Sequence, residues 1–229
     1  MVITDEYAPG RRVDIHGDGQ DGVVLMWHGR GPDERSALAP LAELITLSGV
    51  RVLAADWDST AADHGRADVL GSLAYARRVA ATLGIDPGAV VNVGWSLGAT
   101  AALGLAVASD GPAHTVLLAP GDGPRAVSAV TGEALPAVFP APVGRRTIDI
   151  LHGSRDDISN PPLVHGLAAR LRASGWAPTV TELAVDHSGI VGLAIDPETQ
   201  SYVAAQEPFV LEAVDRVAAT IVAAATSSS

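Results

Sequence analysis

The chain has 229 residues, enough for one large α/β domain with a sizeable core, and its net charge of −11 argues against nucleic acid and anionic membrane surfaces as partners. It contains no cysteine, which excludes disulfides, thiolate metal sites and a cysteine nucleophile. Hydrophobic residues make up 48% but aromatic ones only 4%, so the core is expected to be mostly Ala, Val and Leu.

Residues 1–10 show no basic segment followed by an apolar one, hence no signal peptide, and the longest apolar helical run, 217–225, is too short to span a bilayer. The reading is a soluble, cytoplasmic protein. All 15 basic residues are arginine, which together with abundant Ala, Gly and Val points to a GC-rich bacterial genome.

Val13-Asp14-Ile15-His16 alternates apolar and polar residues, as a half-exposed strand at a sheet edge does. Val23–Trp27 is continuously apolar, which suits a strand buried on both faces, and it ends in His28-Gly29-Arg30-Gly31-Pro32. Residues 33–48 carry Leu38, Leu41, Ala42, Leu44 and Ile45 at helical spacing before Gly49. A buried strand over 50–55 and a helix over 67–83, with Val69, Leu73, Ala76, Ala80 and Leu83 on one face, follow.

The pattern continues with a strand over 115–119, a proline-rich irregular stretch over 122–146, and a strand over 147–151. A helix near 162–174 and a strand over 180–185 come next. Pro208 then opens a closing helix with Phe209, Ala213, Val214, Val217 and Ile221 on its apolar stripe. Alternating buried strands and amphipathic helices predict a parallel sheet covered on both faces. No repeat, linker or composition break divides the chain, so 1–229 reads as one domain, with 226–229 expected to fray.

The most informative stretch lies between these elements. Val90-Val91-Asn92-Val93 runs into Gly94-Trp95-Ser96-Leu97-Gly98, and an Ala/Leu-rich run leaves it. Strand, sharp turn and helix with a serine at the apex is the arrangement of a nucleophile elbow, in which the hydroxyl is lifted clear of the sheet. The competing reading is a glycine-flanked turn in which Ser96 only caps the following helix.

Functional groups in open α/β sheets collect where strands end at their carboxyl edge. Four such ends carry suggestive chemistry: His28-Gly29-Arg30, Ser96, Asp156/Asp157 and His187. A hydroxyl is a poor nucleophile near neutrality. A histidine that accepts its proton, held in the right tautomer by a carboxylate, remedies this. His187 is assigned as that base and Asp156 as the acid, ahead of its neighbour Asp157. Asp186 is expected to face away, as successive strand residues do.

The backbone N–H of Leu97, at the helix start, is the first expected oxyanion donor. The second is expected from the first loop, at Arg30 or else Gly29. The Arg30 side chain could recognise a substrate carboxylate or pair with Asp33 or Glu34, and the pairing is the expected role. Trp95 and Gly29 are assigned to the wall that binds substrate. His16, His64, His114 and His165 read as solvated surface, and His28 and His152 as residues that brace loops. Asp58, Asp63 and His64 have no register to fix them as ligands, so no metal site is expected.

In these motifs the chain resembles the α/β-hydrolases of the small esterase kind, from about Tyr7 to the C-terminus. The supporting matches are Tyr7-Ala8-Pro9-Gly10, Gly84-Ile85-Asp86-Pro87, Gly94-Trp95-Ser96-Leu97-Gly98, His152-Gly153-Ser154-Arg155-Asp156 and Asp186-His187. The similarity is greatest to the carboxylesterase/lipase branch with kynurenine formamidase-like and dienelactone hydrolase-like enzymes. It implies the α/β-hydrolase fold: a mostly parallel sheet of roughly seven to eight strands, helices on both faces and no cap domain. It further implies a Ser-His-Asp triad, no metal or organic cofactor, and hydrolysis of carboxylic esters or sometimes amides, with a small acyl compound as substrate. The chain departs from its relatives in having Arg30 within His28-Gly29-Arg30-Gly31, where lipase-like relatives carry His-Gly-Gly-Gly. It also has Ser96 where dienelactone hydrolases have cysteine.

Overall fold

All five residues of β3 (Val23–Trp27) are buried. A continuous apolar run of this kind is stable as a strand only where both faces of the sheet are covered. The computed structural model describes residues 1–123 and 126–227. It places β3 among β1 (Val2–Ala8), β2 (Arg11–His16), β4 (Arg51–Ala55), β5 (Val91–Trp95), β6 (His114–Leu118), β7 (Thr147–Gly153) and β8 (Thr179–Leu183). These form one eight-stranded sheet in the order β1-β2-β4-β3-β5-β6-β7-β8. β2 pairs antiparallel with both β1 and β4, and every pair from β4 to β8 is parallel.

Side chains alternate across this sheet into two apolar layers. Val24, Met26, Val52, Ala54, Val91 and Val93 face the layer covered by α1 (Ala39–Thr46) and α5 (Pro208–Thr226). Val23, Leu25, Trp27, Leu53 and Leu117 face the other, covered by α2 (Arg66–Thr82), α3 (Leu97–Ala106) and α4 (Pro161–Ala173). Burying each large apolar side chain contributes about 1.5–3 kcal/mol, so the two layers hold the sheet from both sides. α4 begins where Asn160 accepts the Leu163 N–H on its side chain, with Pro161 next in line.

Three expectations are corrected here. The strand at residues 13–16 is not at the edge, because β1 covers it on the outer side. β1 leaves no mark in the sequence pattern because five of its seven residues are exposed and no apolar alternation runs along it. As a consequence His16, expected at the surface, is only 4% exposed, held between Val2 and Val52 in the ladder. Phe209 is not on the buried stripe of α5; it stands in the first turn, with the Arg155 guanidinium over its ring. The C-terminus remains helical through Thr226, and the Ser227 N–H still donates to the Ala223 carbonyl. The expected fraying of Ser228 and Ser229 falls outside the described residues.

The path of the chain creates a crevice. From β3 it steps outward to β4 and then returns to β5 on the other side of β3, so the winding reverses between β3 and β5. Loops leaving two strands at such a point diverge to opposite faces and leave an opening at their carboxyl ends. Gly29 and Arg30 leave β3 there, and Ser96 leaves β5. A short antiparallel hairpin, β9 (Leu193–Ile195) and β10 (Tyr202–Ala204), lies outside the main sheet. No cap domain is present among the described residues. Among its described residues the 122–146 stretch carries only the isolated bridge Val127–Ala134, and it packs Phe139 into the core while Pro140 accepts the Trp176 indole N–H.

Candidate active site

Ser96 has φ 57° and ψ −117°, a left-handed conformation that a residue with a Cβ rarely adopts. Such a conformation costs about 1–3 kcal/mol and persists only where its surroundings hold it. Here they do. The Ser96 N–H donates to the Leu118 carbonyl at 2.9 Å, and the Ser96 carbonyl accepts from the N–H groups of Ala99, Thr100 and Gly121. The flanking glycines permit the bend: a Cβ on Gly94 would lie 2.1 Å from the Gly98 carbonyl oxygen. One on Gly98 would lie 2.2 Å from that of Trp27. Ser96 therefore stands at the apex of a backbone turn held by the end of β6, the loop after it and the first turn of α3, and it is partly exposed.

His187 lies in the loop after β8 and is 8% exposed. Its Nδ1 is 2.8 Å from Oδ2 of Asp156, which leaves β7 and is 1% exposed. Burial pushes the Asp156 carboxyl upward. The hydrogen bond and charge of His187, with the N–H groups of Ser159 and Ile158, outweigh this and hold it below its ordinary value. An ionised carboxylate only accepts, so Nδ1 of His187 carries the proton in this pair. Asp157 is exposed and takes no part in this pair. Asp186 turns the other way and accepts from the N–H groups of Ser188 and Gly189.

Six of the residues singled out from the sequence, Gly29, Arg30, Trp95, Ser96, Leu97 and His187, line one cavity of about 750 Å³. The seventh, Asp156, sits behind His187. Trp95 forms part of the floor: it is 3% exposed, its ring lies 5.5 Å from that of His187, and its indole N–H donates to the His187 main-chain carbonyl at 2.9 Å. Leu97 is the first residue of α3, so its N–H is among those a helix leaves without an internal acceptor, at the positive end of the helix dipole. Gly29 approaches the serine closely, since a Cβ there would lie 3.4 Å from that of Ser96.

Arg30 is exposed and, contrary to expectation, pairs with neither Asp33 nor Glu34. Arg35 takes Asp33 instead, and also Asp14 at 2.8 Å. Arg30 and Leu97 also border a second hollow of about 320 Å³, bounded by Ser59, Thr60, His64 and Val127, and so divide the two. His28 braces its loop as expected, with Nε2 accepting the Glu34 N–H at 3.2 Å. His114, expected at the surface, is partly buried and paired with Asp149 at 2.6 Å. The 58–64 loop uses its acids locally, Asp63 accepting from the N–H groups of Gly65 and Ala67.

Sequence reasoning missed one wall. The β9–β10 hairpin brings Gln200, Ser201 and Tyr202 to the cavity, with the Tyr202 ring edge-on to Trp95 at 5.6 Å. The available signal was the Asp196-Pro197 turn, in which Asp196 accepts the N–H groups of Glu198 and Thr199.

No protein-family model and no curated protein matches the chain. Solved structures do. A thermophilic esterase from the Planctomycetes species Thermogutta terrifontis superposes with a TM-score of 0.75 at 16% identity, over 97% of this chain and 91% of that one. The Thermogutta terrifontis esterase 2 phosphorylated by paraoxon gives 0.71 at 17% identity, over 97% and 93%. An alpha/beta hydrolase enzyme from a Medee basin deep-sea metagenome library gives 0.65 at 16%, over 84% and 87%. The similarity extends over nearly the whole chain, and with the mostly parallel eight-stranded sheet it shows that the chain has the α/β-hydrolase fold.

Proposed function

We propose that this chain is a serine hydrolase that cleaves carboxylic esters of small molecules through an acyl-enzyme, as one catalytic domain. The observation that carries this reading is the convergence of a strained, half-exposed Ser96 and a buried His187–Asp156 pair on one cavity. Similarity in fold to a protein described as an esterase, and phosphonylated by sarin, supports it.

In this mechanism Ser96 Oγ attacks the ester carbonyl and passes its proton to His187 Nε2, and Asp156 stabilises the imidazolium that forms. The tetrahedral oxygen takes its negative charge against the N–H groups of Leu97 and Arg30. His187 returns the proton to the departing alcohol, and water then attacks the acyl-enzyme by the same route. The two hollows on either side of Arg30 and Leu97 would hold the acyl and alcohol portions.

The test is turnover of short-chain p-nitrophenyl esters by wild type and Ser96→Ala. Turnover lost in the variant, down to a residue of about 10³–10⁴-fold over water, supports the reading. No turnover by wild type, or equal turnover by both, overturns it. N-formyl aromatic amides run in parallel separate an esterase from an amidase or formamidase with the same residues.

A further inference from the structure

On the far side of β7 from the crevice, three potential ligand atoms converge that the proposed reaction does not use. His152 lies in β7 and Glu182 is its direct partner across the parallel ladder in β8. His165 projects from α4, which covers these strands. Nε2 of His152 and Nε2 of His165 are each 3.8 Å from Oε2 of Glu182, and the three residues each offer a ligand atom within 4.8 Å of the other two. The two imidazoles meet edge to face at 5.3 Å.

His152 is the informative member. It is fully buried, and neither ring nitrogen has a hydrogen-bond partner among the described residues, Nε2 being the one that faces Glu182. A buried polar atom without a partner costs about 1–3 kcal/mol. The expected role of bracing a loop does not account for it, since no hydrogen bond to a loop is made. Glu182 has no arginine within ion-pair distance among the described residues, and the chain has no lysine.

We infer that His152, His165 and Glu182 form a binding site for a borderline divalent cation of the zinc class, joining β7, α4 and β8. Two imidazoles and one carboxylate select zinc, cobalt or nickel over calcium or magnesium, which take oxygen ligands. Zn–N and Zn–O bonds of about 2.0–2.2 Å in a tetrahedron place ligand atoms roughly 3.4 Å apart. The atoms here must close by less than about 1.5 Å to meet that spacing. His165 and Glu182 are exposed, with side-chain exposures of 56% and 48%, and can swing inward while His152 stays fixed. Water would complete the fourth position. This departs from the expectation of no metal, and it is independent of the proposed esterase activity.

The test uses untagged, metal-stripped full-length protein, with ZnCl2 followed by calorimetric titration and thermal melting, in wild type, His165→Ala and Glu182→Gln. Both substitutions lie at the surface and are expected to leave the metal-free melting temperature within a few degrees. The expected result is one zinc per wild-type chain and a rise of about 5–10 °C in Tm at zinc a hundredfold above Kd. Affinity should fall by more than about tenfold in each variant. No zinc-dependent rise in wild type overturns the inference. So does a rise that either variant keeps, since the metal would then be bound elsewhere, at His187 for example.

Discussion

The indole N–H of Trp95 donates to the main-chain carbonyl of His187 at 2.9 Å, across 92 residues of sequence. The residue before the proposed nucleophile thus anchors the backbone of the proposed base. The rings lie 5.5 Å apart, so the same side chain also supports the imidazole. In the proposed mechanism Trp95 would thus act as a positioning residue for His187.

Trp95→Phe keeps a ring in the floor and removes the hydrogen bond. Loss of the bond should cost about 1 kcal/mol of stability. A small displacement of His187 should lower kcat by about 10- to 100-fold with little change in KM. Steady-state kinetics against thermal melting checks this. A purely structural role would move Tm and leave kcat alone.

The carboxylate assignment is tested by two adjacent substitutions. Asp156→Asn should lower kcat by about 10⁴, because the amide favours the wrong tautomer of His187. Asp157→Asn, at an exposed position, should change stability by less than about 0.5 kcal/mol and leave turnover close to wild type. Reversal of this order in p-nitrophenyl ester assays would move the role to Asp157.

The three glycines near Ser96 should differ in their tolerance of a methyl group. Gly94→Ala and Gly98→Ala place Cβ 2.1 and 2.2 Å from backbone oxygens that cannot move aside. Each should destabilise by more than about 4 kcal/mol, seen as loss of soluble protein or a collapsed urea midpoint. Gly29→Ala meets Ser96 Cβ at 3.4 Å, an ordinary contact, so the protein should fold with a near-normal Tm and a lowered kcat.

Stability should depend on pH through His28. Burial pushes its pKa down to about 4 from the usual 6.5, against the opposing hydrogen bond to the Gly29 carbonyl. The unfolded chain therefore binds a proton between pH 6.5 and 4 that the folded chain refuses. The stability that His28 contributes is complete above pH 6.5 and is lost as pH falls toward 4, by up to about 3 kcal/mol. Urea titrations across this range should show the slope. His28→Gln, which can still accept the Glu34 N–H but does not titrate, should reduce it, leaving the part due to His16 and His152, whose pKa values burial also lowers.

Much of the site was legible in the sequence because its parts lie at the ends of strongly patterned elements. Val23–Trp27 and Val91–Trp95 are buried on both faces, so the pattern marks their ends, which Gly29, Arg30 and Ser96 follow. β1 was not legible, since it presents five exposed residues in succession and owes its place to backbone pairing with β2. The Tyr202 wall was hidden for a related reason: β10 is three residues long and wholly exposed, too short for a period-two pattern. The solvent reading of His16 failed with the edge assignment of β2. The grouping of His152, His165 and Glu182 depends on strand register and helix packing, which local pattern does not encode.

The central claim is that Ser96 is the nucleophile, and a fluorophosphonate probe tests it most directly. Intact-mass analysis should show one covalent adduct per chain, peptide mapping should place it on Ser96, and Ser96→Ala should take up none. Absence of an adduct on wild-type protein that turns over esters, or an adduct on another residue that persists in Ser96→Ala, would contradict the account.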